Sequence, residues 1–156
     1  MLARNQKHKF IEKIASELFG FGYALIPDQL QVSQIVIDCF QLGKKDLEAK
    51  ELLDELLMEP ESFKRQFLYK KRLCHLLYQM SVKRFSQIRD GISVGPEESA
   101  FNALDIKKRA VLYLKHKMNF SLSDISSVTS DEDNNTMSLL SAGRDELLVS
   151  AGEVNF

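Results

Sequence analysis

The sequence contains no tryptophan, three prolines, two cysteines and seven glycines among 156 residues. Each scarcity excludes a class of protein. Cys39 and Cys74 stand alone among apolar neighbours, which gives no disulfide framework and no zinc spacing. They read as small buried hydrophobes of a reducing compartment. His8, His75 and His116 lie far apart with no i,i+4 pair, so no metal site is expected. No apolar run approaches the ~20 residues a membrane helix needs. The basic opening MLARNQKHKF leads into an amphipathic segment instead of a signal-type apolar stretch, and the expected location is the cytoplasm. The FGFG at 19–22 lacks the spacing and the lysine of a phosphate loop. No Ser/His/Asp or Cys/His set stands out. Adjacent acids such as Asp54-Glu55 and Glu97-Glu98 would point apart on a helix. The expectation is a non-enzyme with no cofactor and no small-molecule substrate.

What is present is ordinary for a globular chain: 44% hydrophobic and 28% charged residues. The length suits one domain or two small ones. The net charge of −1 hides a division. From Phe63 to Arg89 there are Lys64, Arg65, Lys70, Lys71, Arg72, Lys83, Arg84 and Arg89, with no acid between them. From Met118 onward Arg144 is the only base, against Asp124, Asp131, Glu132, Asp133, Asp145, Glu146 and Glu153. Such a split implies one anion-facing half and a second half with other partners.

Helical spacing dominates and strand-like alternation is scarce. Phe10, Ile14, Leu18 and Phe19 form one stripe over about 6–19, stopped by Gly20 and Gly22. Pro27-Asp28 signals a second start, with Val32, Ile35, Val36, Cys39 and Phe40 as its stripe and Gly43 as its close. A charged helix over about 46–58 turns Leu47, Leu53, Leu56 and Leu57 inward, and Pro60 breaks it. The longest helix is expected over 61–88. Its basic face carries Lys64, Arg65, Lys71, Arg72, His75 and Lys83; Phe63, Phe67, Tyr69, Leu73, Leu77 and Phe85 lie opposite. A Gly- and Pro-bearing stretch follows and reads as a linker. Beyond it come a helix over about 103–117 and two more within Ser121–Leu148, with a frayed tail. The fold class is therefore all-α: two small helical domains, 1–89 and 102–150, joined by a linker at 90–101.

In the second half, Arg109 precedes Ala110-Val111-Leu112, Ser121 precedes Asp124-Ile125-Ser126, and Leu140, Gly143, Arg144 and Leu147 close the last helix. Ser121 can cap the shorter helix while Asp124 reaches back, as in a capping box. Ile125 and Leu140 would lock the two helices together. This layout resembles the helix-turn-helix domain of bacterial RNA polymerase sigma factors of the compact extracytoplasmic-function type. The likeness of plan extends from about Phe10 to Leu148. It implies a promoter-melting domain in the first half and a helix-turn-helix domain in the second. Asp38 and Phe40 would then meet core RNA polymerase. Lys64, Arg65, Lys71, Arg72, Lys83, Arg84 and Arg144 would meet promoter DNA, with Tyr69, Tyr78 and Phe85 as candidate platforms for unstacked bases.

One feature of the second half points elsewhere. Family recognition helices carry Lys or Arg where this chain has Met137, Leu139 and Ala142, and the helix opens on Asp131, Glu132 and Asp133. Acids there repel the DNA backbone but suit a helix N-terminus. Asp131, Glu132, Asp133, Met137 and Leu139 thus define a candidate protein-interaction face. Two readings follow. The chain is a sigma factor that binds polymerase and promoter DNA in bacterial transcription initiation, or a sigma-like interaction protein that binds an anti-sigma factor or another regulator without reading DNA.

Overall fold

The structure, a computed structural model, describes residues 2–88 and 100–154, with the side chains of 9–88 and 100–151. Among the described residues the chain is all helix: α1 Leu2–Leu25, α2 Gln29–Gly43, α3 Leu47–Met58, α4 Phe63–Ile88, α5 Ala100–Ala103, α6 Ile106–His116, α7 Leu122–Thr129 and α8 Asp133–Val154. Positions 90–99 of the expected linker lie outside the described residues, and Ala100 and Phe101 open α5. The expected all-α class holds.

Helix starts follow local chemistry. Asp28, Asp46, Asp105 and Ser121 sit in extended backbone, and each accepts a backbone N–H from three residues on, at Gln31, Ala49, Lys108 and Asp124. Each such cap contributes about 1 kcal/mol. Ser130, at φ 56°, ends α7 in left-handed backbone and turns the chain towards α8.

Several boundaries and faces differ from the sequence-based expectation. α1 does not stop at Gly20 and Gly22 but continues to Leu25. These glycines serve close approach. A Cβ on Gly22 would lie 2.9 Å from Val32 Cγ1, and one on Gly20 would overlap the Tyr113 hydroxyl. In α3 the inward stripe is Ala49, Leu52, Leu53 and Leu56, whereas Leu47 and Leu57 are exposed. α3 rests mainly on α4, so a narrow stripe suffices to seat it. Phe63, expected on the apolar side of α4, stands 83% exposed at the first turn. α8 runs through the expected frayed tail to Val154.

α4 is the hub. It packs on α1, α2 and α3 from the first half and on α7 from the second. α6 packs on α1 and carries α8 on its other side. The two halves therefore share one apolar cluster, which runs from Leu18, Phe21 and Leu77 to Leu114, Phe120 and Ile125. Phe67 meets Phe120 edge-on at 5.1 Å, and Phe21 lies over Tyr113 at 5.9 Å. Such ring pairs favour these tilted and offset geometries.

Candidate functional site

The basic face of α4 is the first candidate. Five of its cations, Arg65, Lys70, Lys71, Arg72 and Arg84, face carboxylates of the same chain. Arg65 reaches Glu55 at 2.9 Å and Glu59 at 3.3 Å. Lys70 meets Glu17 at 2.8 Å. Arg72 grips Asp46 through Nε and Nη2, both at 2.9 Å, and Glu48 through Nη1 at 3.1 Å. Arg84 donates to the Gln31 side chain at 3.0 Å and faces Asp38 at 3.9 Å. The expected DNA contact Arg84 and the expected polymerase contact Asp38 thus stand together. Lys64 and Lys83 are exposed, with no carboxylate partner among the described residues.

The middle of this face is not an outer surface, contrary to expectation, because α7 lies on it. Lys71 Nζ donates to Asp124 Oδ1 at 3.1 Å. His75 Nδ1 lies 2.9 Å from the Val128 carbonyl oxygen near the end of α7. That carbonyl is among the last four of its helix and has no intrahelical donor, so the ring completes it as the Nδ1–H tautomer. α7 supplies a carboxylate at one end and an unpaired carbonyl at the other, and α4 supplies the complementary cation and donor.

The electrostatics follow this pairing. The hydrogen bonds from Arg72 hold the Asp46 carboxyl below its ordinary value of 3.8, and Asp46 raises Arg72 in turn. At Asp124 burial works upward, but hydrogen bonds from Ser121 and Lys71 and the Lys71 charge outweigh it, and the carboxyl ends low. Asp131 is lowered chiefly by its hydrogen bond with Lys107, 2.7 Å away, and then by Asn135.

The candidate stacking aromatics are core residues. Tyr69 and Tyr78 are 5% and 8% exposed, and burial pushes both hydroxyls up to about 12. Phe85 is half-buried beneath the Arg109 guanidinium, 5.3 Å from its ring centre. Phe40 is likewise half-buried against the core.

The second candidate is the start of α8. Glu132 and Asp133 are exposed and Met137 is 57% exposed. Leu139 instead packs half-buried against the core. Asp131 is largely buried, its side chain 12% exposed, since Lys107 of α6 ties it back. Arg144 does not stand alone either: its Nε and Nη2 point at His116 Nε2, each at 3.3 Å. Polar residues are accommodated between α7 and α8 because they pair. Ser126 and Thr136 hydroxyls meet at 2.8 Å between α7 and α8: one donates to the other, and the acceptor's proton is left for the carbonyl of its own helix, Leu122 O for Ser126 or Glu132 O for Thr136. Gly143 lets α8 approach α6, where a Cβ would sit 2.9 Å from Leu112 Cδ1.

No local sequence pattern announces the pairings of Asp46, Glu17 and Lys107. Asp46 carried a signal as a helix-start residue; Glu17 and Lys107 carried none, because their partners are distant in sequence. Among the described residues no three His, Cys, Asp or Glu side chains stand where they could hold a metal ion. Among the same residues, no helix is long and apolar enough to cross a membrane.

No protein-family model matches the sequence, and no curated protein matches it. A solved structure does resemble it: the co-crystal structure of the sigma factor RpoE in complex with the anti-sigma factor NepR from Bartonella quintana. The TM-score is 0.60 at 18% identity, over 92% of this chain and 94% of that chain. The fold is therefore sigma-factor-like, with both halves included in the likeness.

Proposed function

We propose that this chain is a sigma-factor-like regulator of bacterial transcription initiation whose working contact is with a regulatory protein of the anti-sigma kind, not with DNA. The observation that carries this reading is the Lys71–Asp124 pair at 3.1 Å. A cation expected to meet phosphate is neutralised by the helix-turn-helix half itself. Lys70, Arg72 and Arg84 face carboxylates in the same way. Backbone phosphates supply much of the affinity of DNA-binding modules, and a paired cation contributes little to it. The acidic opening of α8 with exposed Met137 suits a protein partner. The fold likeness to a sigma factor captured with an anti-sigma factor supports the same choice.

The reading in which the chain is a working sigma factor is favoured by Lys64 and Lys83, exposed towards the two ends of α4, and by the Leu140, Gly143, Arg144, Leu147 closing pattern. Two binding measurements separate the readings: co-elution with bacterial core RNA polymerase at moderate salt, and fluorescence anisotropy of a labelled promoter duplex. At micromolar protein we expect neither polymerase co-elution nor duplex binding, while an anti-sigma protein such as NepR is captured. Polymerase co-elution, together with duplex binding that is lost in a Lys71→Glu, Arg72→Glu variant, overturns the proposal in favour of a working sigma factor.

A further inference from the structure

Where the two halves meet, α1, α5, α6 and α8 enclose a groove of about 480 Å³. Its walls are apolar: the rings of Tyr23 and Phe101 and the side chains of Leu112 and Leu147. The charged residues among its lining are Lys117 and Arg144, and His116 lines it beside them. No carboxylate lines it, although the second half is rich in acid. Glu146, beside Arg144 on α8, is turned away to Lys108. Arg144 is held along the rim by its two donors to His116 Nε2.

We propose that this groove binds a small anionic amphiphile, an apolar tail ending in a carboxylate, with the tail between Phe101, Leu112 and Leu147 and the carboxylate at Arg144 and Lys117. The size argues for a small molecule. Ligand cavities typically span ~300–1,000 Å³ and are mostly apolar with a few polar groups that fix orientation. A guanidinium and an ammonium lining one groove form a donor set that prefers a carboxylate to a neutral head group. The occupant touches both halves at once, α1 on one side and α6 and α8 on the other. It therefore stabilises the joined form by mass action.

The test uses the full chain and three ten-carbon probes, namely decanoate, decanol and decyltrimethylammonium, with calorimetric titration and the thermal unfolding midpoint as readouts. Decanoate is expected to bind saturably at one site and raise the midpoint. Decanol should bind about tenfold more weakly and the cation not at all. Shortening the carboxylate from decanoate to octanoate should weaken binding by about fourfold per methylene removed. In an Arg144→Gln, Lys117→Gln variant, decanoate falls to the level of decanol while tail binding persists. Leu147→Trp, which fills the groove, removes binding of both. Far-UV circular dichroism checks that variant, and if it fails to fold the double glutamine variant decides the matter alone. Non-saturable uptake, equal binding of the cationic probe, or an unchanged decanoate affinity in the double variant overturns the proposal.

Discussion

Arg109 on α6 donates from Nη2 to the carbonyl oxygen of Leu25, 2.7 Å away at the end of α1 and 84 residues earlier in the chain. Its Nε donates to Ala24 O at 3.0 Å, and Nη1 to the carbonyls of Asn102 and Leu104. The last carbonyls of a helix have no intrahelical donor and carry its negative end. A buried guanidinium satisfies them and joins the halves in one group. Replacing Arg109 by Met leaves those carbonyls without their donor. The expected loss is about 3 kcal/mol of unfolding free energy, measured by urea titration. Arg109→Lys should recover less than half, because an ammonium cannot present the planar fork. A loss below about 1 kcal/mol for the Met variant would show that water replaces the guanidinium without penalty.

The approach of Gly20 to Tyr113 gives a sharper test of the same joint. A Cβ at position 20 meets the Tyr113 hydroxyl, but the ring carbon behind it would be 3.6 Å away, an ordinary contact. Gly20→Ala alone should destabilise by about 1–3 kcal/mol through overpacking. With Tyr113→Phe the obstruction is gone, and alanine's helix preference of about 1 kcal/mol over glycine is realised. A double-mutant cycle in urea should therefore show strong positive coupling. Additive losses would mean that the α1–α6 spacing is not set by this contact.

These examples mark what was legible in the sequence. α4 could be read because Leu73, Cys74 and Leu77 repeat at helical spacing, and α7 because Ser121 and Asp124 form a local cap. Caps and stripes are encoded within a few residues. Gly20 and Gly22 read as a stop because a glycine that ends a helix and one that admits a neighbouring side chain look alike without the neighbour. Phe63, Leu47 and Leu57 fall on apolar stripes yet stand exposed, because periodicity gives a face but not how much of it is covered. The pairing of Lys71 with Asp124 spans 53 positions, and no local pattern announces it. The basic run remained visible as charge, but its neutralisation was not.

The cysteines offer a chemical check on the packed core. Cys39 donates to Leu73 O at 3.3 Å, and burial pushes its thiol up to about 12; burial raises Cys74 further still. The thiolate is the reactive form, so both should be inert in the native protein. Ellman's reagent at mildly alkaline pH should label neither thiol in the folded chain and both in concentrated guanidinium. Rapid labelling of the native protein would indicate that α2 separates from α4 on the timescale of the reaction.

Acid should loosen the attachment of α7 to α4. Asp46, Asp124 and Asp131 all lie below their ordinary value of 3.8 in the folded state. A carboxyl whose folded pKa is depressed stabilises the fold above its unfolded pKa and loses that contribution as pH falls through the folded value. From these groups the urea midpoint should stay level from neutrality to about pH 5 and decline below about pH 4. Asp124→Asn isolates the joint. Its side chain and that of Lys71 are each 25% exposed, so the pair contributes about 1 kcal/mol after solvent screening. The variant should be less stable than the parent at neutral pH, and the two curves should converge in acid, where Asp124 is protonated in both states. Curves that stay parallel down the acid limb would show that the Lys71–Asp124 pair adds nothing to stability. The hold of the second half on the basic helix would then rest on Phe67 against Phe120 and His75 against Val128.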